Sequence, residues 1–305
     1  MDAAPSAVPA LFWRLCLGPT KVLAQRRKLA GVALLIALLL AGLWLWTPDK
    51  SRGELEALYF NDASQLRLID GVRLHLRVSG ASEAPVLIML HGFGASLHTW
   101  DAWAAGLDDA FRVVRIDLPG AGLSYADPGD DYSDERTLHL LGALMDDLAL
   151  QRAVFVGNSI GGRLAWRMAA KHPERVSAVI LVSPDGFASE GFEYGQPPKV
   201  PFMMQLMRYV LPRSVLATSL APAYADGDKL TDALLTRYHD LMRAPGSRNA
   251  LLKRMAQTVL IDPKPQLRKI SVPGVLLWGE LVRLMPVESA AVYLAVGSSC
   301  RVGRL

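Results

Sequence analysis

The sequence predicts an α/β fold with a mostly parallel sheet, preceded by one membrane-spanning helix. Two observations predict the sheet: apolar runs end in glycine-containing turns, and helix-like stretches separate the later runs. Such an alternation is typical of parallel sheets that are covered on both faces. The runs are APVLIMLHGFG, FRVVRIDLPGAG, RAVFVGNSIGG and VSAVILVSPDG. A third observation, an uncharged apolar segment near the start, predicts the membrane helix.

Composition and charge argue against a nucleic-acid-binding surface on the main part of the chain. Of 305 residues, 51% are hydrophobic and 20% are charged, which is enough apolar material for a sizeable core. The net charge of +4 arises in residues 1–28, which hold five basic residues and only Asp2 as an acid. The remainder is neutral, whereas a nucleic-acid surface needs clustered basic residues. Two cysteines, Cys16 and Cys300, are too few for a disulfide framework.

The segment LAGVALLIALLLAGLWLW, residues 29–46, is predicted to cross a membrane. Its 18 apolar or small residues carry no charge and come close to the about 20 residues that span a hydrocarbon layer. Basic residues 26–28 precede it and two Trp residues lie near its other end, which agrees with the positive-inside rule and the aromatic belt. We therefore expect a cytoplasmic basic tail at 1–28, a single-pass anchor at 29–47, and the rest on the periplasmic or extracytoplasmic side. A cleaved signal peptide and a buried core helix are the alternatives.

The folded part is predicted to begin with two antiparallel strands. QLRLIDGVRLHLRVSG alternates apolar and polar residues on both sides of Asp70-Gly71. An Asp-Gly pair in this setting is the strongest short signal for a hairpin. The predicted parallel strands follow, and ligands of such sheets bind beyond the carboxyl ends of the strands, where the glycine-rich turns lie.

The segment VFVGNSIGGRLAWRMAAKHP indicates nucleophilic chemistry. Residues 157–161 read Gly-x-Ser-x-Gly between an apolar strand and a helix, so Ser159 is the candidate nucleophile. Gly157 and Gly161 must be small because the strand and the helix approach each other closely at this turn, which leaves the serine hydroxyl exposed. The three fixed residues alone would occur by chance in about one chain in ten of this length, so the strand-turn-helix context carries the assignment.

Two backbone amides are candidates for an oxyanion hole. A serine nucleophile needs a base for its proton, and the tetrahedral oxyanion needs preorganised N–H donors. The amide of Ile160 is the first candidate. The second is the amide of Phe93, in the turn that runs from His91 to Gly94 after an earlier strand. His91 itself is expected to hold this turn in place.

The segments HGFGASLHTWD, RVVRIDLPGAGLS, GNSIGGRLAW, ILVSPDG and VPGVLLWGE, in this order, resemble the α/β-hydrolase family, in its branch of small lipases, esterases and carbon–carbon-bond hydrolases. With its anchor, the chain is similar to membrane-bound monoacylglycerol lipases and their bacterial relatives. The resemblance covers about residues 57–295 and implies an eight-stranded, mostly parallel sheet with a helical cap after the sixth strand. The implied domains are a hydrolase core at 48–186 and 263–305 and a cap at 187–262.

The predicted cap contains a group of methionines that could contact a substrate. Met203, Met204 and Met207 lie among other large apolar residues, and such a flexible apolar lining would suit an acyl chain. Packing of each Met on the core is at least as good an interpretation.

The family's acid position is occupied by an apolar residue. In text that resembles WGExDRLxP, the acid slot is Val282, although the neighbours from Glu280 to Pro286 match. A Val cannot accept a hydrogen bond from an imidazole. Asp185 follows the sixth strand, where some family members place the acid, and is the alternative acid. A simple turn residue before Gly186 is the competing interpretation of Asp185.

The family's histidine follows the eighth strand, and none occupies that position here. The six histidines all precede it: His75, His91, His98, His139, His172 and His239. We therefore expect the catalytic His to be absent, and the eighth strand, of which CRVGRL would be the start, and the last helix to be missing from a truncated chain.

These observations favour a serine hydrolase that acts on a hydrophobic ester or acyl substrate, either a small molecule or a lipid. The alternatives are a catalytically impaired truncated product and a pseudoenzyme that binds an apolar ligand through its cap. We expect no cofactor, no metal site and no nucleic-acid partner, and the sequence does not predict an oligomeric state.

Overall fold

The chain forms two compact units in a computed structural model, Met1–Thr47 and Pro48–Leu305. The structure describes residues 18–189, 191–279, 290, 291, 293 and 300–304. Val282, the predicted acid slot, lies outside the described residues.

The first unit contains one long helix, α1, at Gly18–Leu45. Its part from Arg26 to Leu45 has a mean hydropathy of 2.3, and none of the residues in this apolar stretch is buried. Twenty helical residues extend about 30 Å, which matches the thickness of a hydrocarbon layer. Among the described residues, this is the one helix long and apolar enough to cross a membrane. The topology predicted for it stays a prediction.

The second unit is built on an eight-stranded sheet. Its strands are β1 Ser64–Ile69, β2 Val72–Ser79, β3 Val86–Leu90, β4 Arg112–Ile116, β5 Ala153–Asn158, β6 Val176–Val182, β7 Gly274–Trp278 and β8 Cys300–Arg304. They are arranged in the order β1-β2-β4-β3-β5-β6-β7-β8. β2 is antiparallel to β1 and β4, and the other neighbouring pairs are parallel. The predicted mostly parallel sheet is confirmed.

The predicted hairpin is formed by β1 and β2. The pair Ile69 and Val72 closes the ladder, and Asp70 and Gly71 form the turn with φ angles of 43° and 84°. Two successive positive φ angles twist the turn in the same sense as the strands. Asp and Gly tolerate this conformation, which explains why the local sequence sufficed to predict the hairpin.

The eighth strand, which the sequence led us to expect to be missing, is present. Residues Cys300–Arg304 form β8, which runs parallel to β7 from the pair of Gly274 and Cys300 to the pair of Trp278 and Arg304. Without a neighbouring strand, backbone N–H and C=O groups on the outer edge of β7 would be unpaired, and pairing with residues 300–304 satisfies them. The truncation prediction was therefore wrong about this strand.

Helices cover both faces of the sheet. Along β3, Ile88 and Leu90 belong to the large core cluster, which also includes residues of the helices at 134–147 and 160–171, whereas Leu87 and Met89 pack with Trp100 and Ala104. Successive side chains of a strand point to opposite faces, so both faces of β3 are buried. The helices after α1 are α2 Arg52–Tyr59, α3 Asp101–Leu107, α4 Asp134–Asp147, α5 Ile160–Lys171, α6 Phe202–Gln205, α7 Arg213–Leu220, α8 Asp232–Met242, α9 Ser247–Gln257 and α10 Lys264–Leu267.

Four of these helices, α6 to α9, lie in the segment between β6 and α10 and form the cap. Three of them, α7 to α9, contribute to a small apolar cluster in which Leu211, Leu216 and Met242 are buried and Met207, which follows α6, packs against them. The start of the second unit is attached to the cap, because the Lys50 amide donates to the Arg243 carbonyl and the Lys50 ammonium lies 2.9 Å from Asp240 Oδ2.

Candidate active site

Ser159 occupies a strained turn between β5 and α5. Its φ and ψ angles are 52° and −119°, a conformation that residues with a Cβ adopt rarely. Three backbone hydrogen bonds hold it: its N–H donates to the Val182 carbonyl at 3.1 Å, and its carbonyl accepts from the amides of Arg163 and Asp185 at 3.0 and 3.2 Å. The ends of β5 and β6 and the first turn of α5 therefore fix the serine backbone.

The two glycines of the motif are required by close packing. A Cβ on Gly157 would lie 2.1 Å from the carbonyl oxygen of Gly161, and a Cβ on Gly161 would lie 2.2 Å from the carbonyl oxygen of Leu90. Both distances are far below van der Waals contact, and both neighbours are backbone atoms. Strand β5, helix α5 and the end of β3 therefore meet here only because these side chains are absent.

The loop after β3 packs directly against this turn. A Cβ on Gly92 would lie 2.8 Å from Asn158 Oδ1 and 3.4 Å from Ser159 Cβ. His91 holds the loop, because its Nε2 accepts from the Leu118 amide at 3.0 Å and its Nδ1 lies 2.8 Å from the Gly92 carbonyl oxygen. Burial lowers the pKa of His91, so the ring is neutral and Nδ1 carries the proton that it donates to Gly92.

Two backbone amides beside Ser159 have unused donors. In the described part of the chain, the N–H groups of Phe93 and Ile160 donate to no acceptor. Ile160 is the first residue of α5, where N–H groups have no partner within the helix. Phe93 lies in the loop after β3. Both residues line the same cavity as Ser159, so the structure brings together the three residues that the sequence singled out.

The cavity at Ser159 has a volume of about 290 Å³. Its walls are mostly apolar and come from the loop after β6 and from the end of α9, including Phe187, Phe192, Met255 and Leu260. Ser159, Arg163, Asp185, Ser189 and Thr258 supply its polar groups. A mostly apolar cavity with a few converging polar groups is typical of small-molecule sites.

The methionines suggested by the sequence do not line this cavity. Met203 is 72% exposed on α6, and Met207 packs in the apolar cluster of the cap. Met255 on α9 lines the cavity instead. The composition of the cap indicated its apolar character, but the face that each helix turns toward the core depends on packing.

A charged cluster beneath the cavity was not predicted from the sequence. Arg163 is buried, its Nη1 donates to Asp185 Oδ2 at 3.1 Å, and its Nη2 donates to Asp134 Oδ1 at 3.1 Å. Arg167 Nη1 donates to Asp134 Oδ2 at 2.6 Å. Burial opposes the charge of Arg163, but Asp185 and Asp134 raise its pKa above the usual value. Because Arg163 lies four residues after Ser159, helical spacing could have identified it as a neighbour.

Asp185, the alternative acid, lies at the edge of the same cavity. One of its carboxylate oxygens accepts from Arg163, and the other, Oδ1, is buried with no hydrogen-bond partner among the described residues. Burial raises the pKa of Asp185, and Arg163 acts in the opposite direction. Tyr293 donates to the Asp185 carbonyl at 2.6 Å, which anchors this turn.

All six histidines lie in the described part of the chain, and none hydrogen-bonds Ser159. Two are buried away from it: His75 is paired with Asp117 at 2.7 Å, and His239 bonds the Leu211 carbonyl at 2.9 Å. The contacts of the other four are His91 with Gly92 and Leu118, His98 with Ser96, His139 with Asp70, and His172 with Glu174. The described residues therefore supply no imidazole base to the serine.

Comparison with known proteins identifies the family. A sequence model of the α/β hydrolase fold matches residues 85–290. The chain is 30% identical over 230 residues to a 2-hydroxy-6-oxo-6-phenylhexa-2,4-dienoate hydrolase of Burkholderia cepacia, across 72% of this chain and 78% of that protein. It is 31% identical over 228 residues to a pimeloyl-acyl-carrier-protein methyl ester esterase of Vibrio cholerae, across 71% of this chain and 83% of that protein.

The fold also resembles solved structures. The crystal structure of a membrane phospholipase A, described as a bacterial virulence factor, matches with a TM-score of 0.67 and 24% identity. This match covers 92% of this chain and 90% of that chain. The two sequence relatives described above are hydrolases, and the resemblance to the α/β-hydrolase family stated from the sequence motifs is confirmed. The chain belongs to the α/β hydrolase family.

Proposed function

We propose that this chain is a serine hydrolase that acts on a hydrophobic ester or acyl substrate, with Ser159 as its nucleophile. One observation carries the proposal: a serine in a strained turn shares an apolar cavity with two backbone N–H groups that have no acceptor among the described residues. The position of these donors beside a nucleophile fits the stabilisation of developing negative charge.

The residues suggest the following chemistry. The Ser159 oxygen attacks the carbonyl carbon of the substrate as its proton passes to a base, and the carbonyl oxygen becomes an oxyanion. The amides of Phe93 and Ile160 donate to that oxyanion, and the N-terminus of α5 adds the positive end of its dipole. The tetrahedral intermediate then expels the leaving group, which takes a proton, and an acyl-serine remains for water to hydrolyse.

The cavity supports a small hydrophobic substrate. Its volume of about 290 Å³ is at the lower end of the range for small-molecule sites, and its walls are mostly apolar. Arg163 faces the cavity already paired with Asp134 and Asp185, so it has little charge to offer a ligand. Two of the related proteins are an ester hydrolase and a hydrolase of a phenylhexadienoate, which agrees with a small acyl or carbonyl compound.

A specific observation favours a second candidate, a catalytically impaired or ligand-binding protein. The six histidines are bonded elsewhere or lie away from Ser159, and Asp185 is engaged by Arg163. Loss of the histidine of a serine triad costs several powers of ten in rate, while the oxyanion hole and substrate binding remain. In this form of the proposal, the cavity binds an apolar ligand and Ser159 reacts slowly.

Reaction with a fluorophosphonate probe distinguishes these forms. We expect the purified full-length chain to be labelled slowly, and the label to be absent from Ser159→Ala. Ser189→Ala removes a second serine from the same cavity and should label like the unmodified chain. Labelling that persists in Ser159→Ala would refute the assigned nucleophile. Rapid labelling would refute the impaired form and establish that a base reaches Ser159.

We also propose that α1 anchors the protein in a membrane, with residues 1–28 in the cytoplasm and the hydrolase unit on the outer side. The apolar helix and the basic residues before it support this arrangement. The match to the membrane phospholipase A covers a larger share of the chain than Pro48–Leu305 alone can supply, so it extends into the first unit. The protein should stay in the membrane pellet after alkaline carbonate extraction, and its release into the supernatant would contradict an integral anchor.

A further inference from the structure

A second cavity, of about 280 Å³, lies beside the loop that carries Phe93. Phe93 lines the Ser159 cavity, whereas the next residues, Gly94 to Ser96, line the second one. His98 and Thr99, which follow this loop, also line the second cavity, and the opposite wall comes from the cap, where α8 contributes Arg237 and Tyr238. The proposed hydrolase chemistry uses no residue of this cavity.

The charges next to this cavity are unbalanced. Three guanidinium groups share the single carboxylate of Asp101: Arg115 Nη1 lies 2.6 Å from Oδ1, Arg77 Nη1 lies 3.6 Å from Oδ1, and Arg237 Nη1 lies 3.7 Å from Oδ2. Arg115 Nε is buried with no acceptor among the described residues. Asp117, the next acid, forms no direct ion pair with these arginines among the described residues, and its oxygens accept from His75 and from two backbone amides.

Arg237 brings this excess charge to the cavity wall. Its side chain is 29% exposed, and within the described part of the chain it makes no hydrogen bond. Its ion pair with Asp101 is long, at 3.7 Å. A guanidinium carries five N–H donors in a planar arrangement that matches the two oxygens of a carboxylate or phosphate.

His98 places a second unused polar group in the same cavity. The residue is 6% exposed, and its Nδ1 lies 3.1 Å from Ser96 Oγ. Its Nε2 has no hydrogen-bond partner among the described residues. Burial lowers the pKa of His98 to about 3; Asp117 acts in the opposite direction, and Arg77 and Arg237 lower the pKa further. The neutral ring can donate from Nε2 when Nδ1 accepts from the Ser96 hydroxyl.

We propose that this cavity binds a small oxyanion, either the carboxylate of a short organic acid or inorganic phosphate, between Arg237 and His98. Arg237 would bind two oxygens of the anion, and Nε2 of His98 would donate to one of them. The hydroxyl of Thr99 lines the same wall. Leu234 and Leu241 form an apolar part of the wall, which could accept the hydrocarbon part of a short-chain acid.

Calorimetric titration tests this site without reference to catalysis. The full-length chain in detergent micelles is titrated with sodium butanoate and, separately, with sodium phosphate, at constant ionic strength set with sodium chloride. We expect one binding event per chain with at least one probe, with a Kd of about 1 mM or lower. Binding of butanoate alone would identify an organic acid as the ligand, and binding of phosphate alone would identify phosphate.

Matched variants assign the binding to this cavity. Arg237→Gln should raise the Kd about tenfold or more, because it removes charge-assisted hydrogen bonds. Arg208→Gln removes the same charge from an exposed position outside the cavity and should leave the Kd unchanged. Ser159→Ala should also bind normally, which separates this site from the proposed active site.

Two results would overturn the proposal: no heat with either probe at concentrations of about 50 mM, or equal affinities in Arg237→Gln and the unmodified chain. Arg237→Lys keeps the charge but loses the planar pair of donors, so an intermediate Kd is expected if direct bonding matters. Because Arg237 is partly exposed and weakly paired, we expect these variants to fold.

Discussion

The two cavities beside the loop after β3 differ in how their charges are balanced. In the Ser159 cavity, Arg163 is bonded to both Asp134 and Asp185, so its charge is compensated within the protein. In the second cavity, Arg237 forms only a long ion pair with Asp101, and two other arginines also contact that carboxylate. Removal of one partner from a compensated buried pair destabilises the fold, whereas an uncompensated charge remains available to a ligand. The first cavity therefore suits an uncharged apolar substrate, and the second suits an anion.

Replacement of Asp134 tests the compensated charges of the Ser159 cavity, and we expect it to have the largest effect on stability. Asp134→Asn leaves Arg163 and Arg167 buried without their main partner, and we expect a loss of about 3–5 kcal/mol in the free energy of unfolding. Urea titration in detergent measures the change. Asp146→Asn, in the same helix but 70% exposed where it pairs with Arg175, is the control and should change stability by less than about 0.5 kcal/mol. Similar losses in the two variants would contradict the burial argument.

Gly161→Ala should disturb the backbone that the Ser159 cavity depends on. Its Cβ would lie 2.2 Å from the Leu90 carbonyl oxygen and 2.7 Å from the His91 carbonyl oxygen, so β3 and α5 must separate. We expect a loss of about 3 kcal/mol and no fluorophosphonate label at Ser159. Gly142→Ala, in α4, meets nothing within 4 Å and should be neutral or stabilising. A stable, labelled Gly161→Ala protein would show that the close approach is not required.

Ionisation of Asp117, which holds the loop beside the second cavity, should make the free energy of unfolding depend on pH. Burial alone would raise the pKa of Asp117, but the hydrogen bond and charge of His75 bring it down to about 2 in the folded protein. Since this is below the usual value of 3.8, the ionised carboxylate stabilises the fold above about pH 4, and this stabilisation is lost as the pH falls toward 2. As the pH falls from about 5 to about 3, we expect protonation of Asp117 to lower the free energy of unfolding by about 1 kcal/mol. Asp117→Asn should lack this part of the dependence, and an equal pH slope in both proteins would refute the assignment.

Removal of Arg237 should have the smallest effect on stability. Because the arginines around Asp101 repel one another, Arg237→Gln should leave the free energy of unfolding within about 0.5 kcal/mol of the unmodified chain or raise it slightly. Arg163→Gln is the matched variant from the other cavity, and it should be strongly destabilising because Asp185 loses its arginine partner and Asp134 keeps only Arg167 of its two. An equal loss in the free energy of unfolding in Arg237→Gln and Arg163→Gln would contradict the distinction between compensated and uncompensated charge.

Features that depend on neighbouring residues were predictable from the sequence. The hairpin follows from Asp70-Gly71, which adopt the required positive φ angles, and the turn at Ser159 follows from the spacing of Gly157 and Gly161. The loop at Phe93 was identifiable because it directly follows the apolar strand β3. In each case the constraint acts over a few residues, so a short pattern contains it.

Features that depend on packing between distant segments were not predictable. Arg163 meets Asp134 because α4 and α5 pack together, and the second cavity forms because the loop after β3 meets helix α8 of the cap. The cap methionines were misleading for the same reason, since composition does not tell which face of a helix is buried. The sequence indicated CRVGRL only as the start of an eighth strand that was otherwise expected to be missing, because five residues carry little signal until β7 offers an edge to pair with.

The sequence by itself determined the family, the α/β sheet, the position of Ser159 and its oxyanion-hole candidates, and the apolar helix near the start. These properties rest on local backbone geometry and on the periodicity of apolar residues. The tertiary structure decided which charges are compensated, which residues line each cavity, and where the six histidines lie relative to Ser159. Such properties arise from contacts between residues far apart in the chain, because the strength of a charge or a donor depends on what burial leaves beside it.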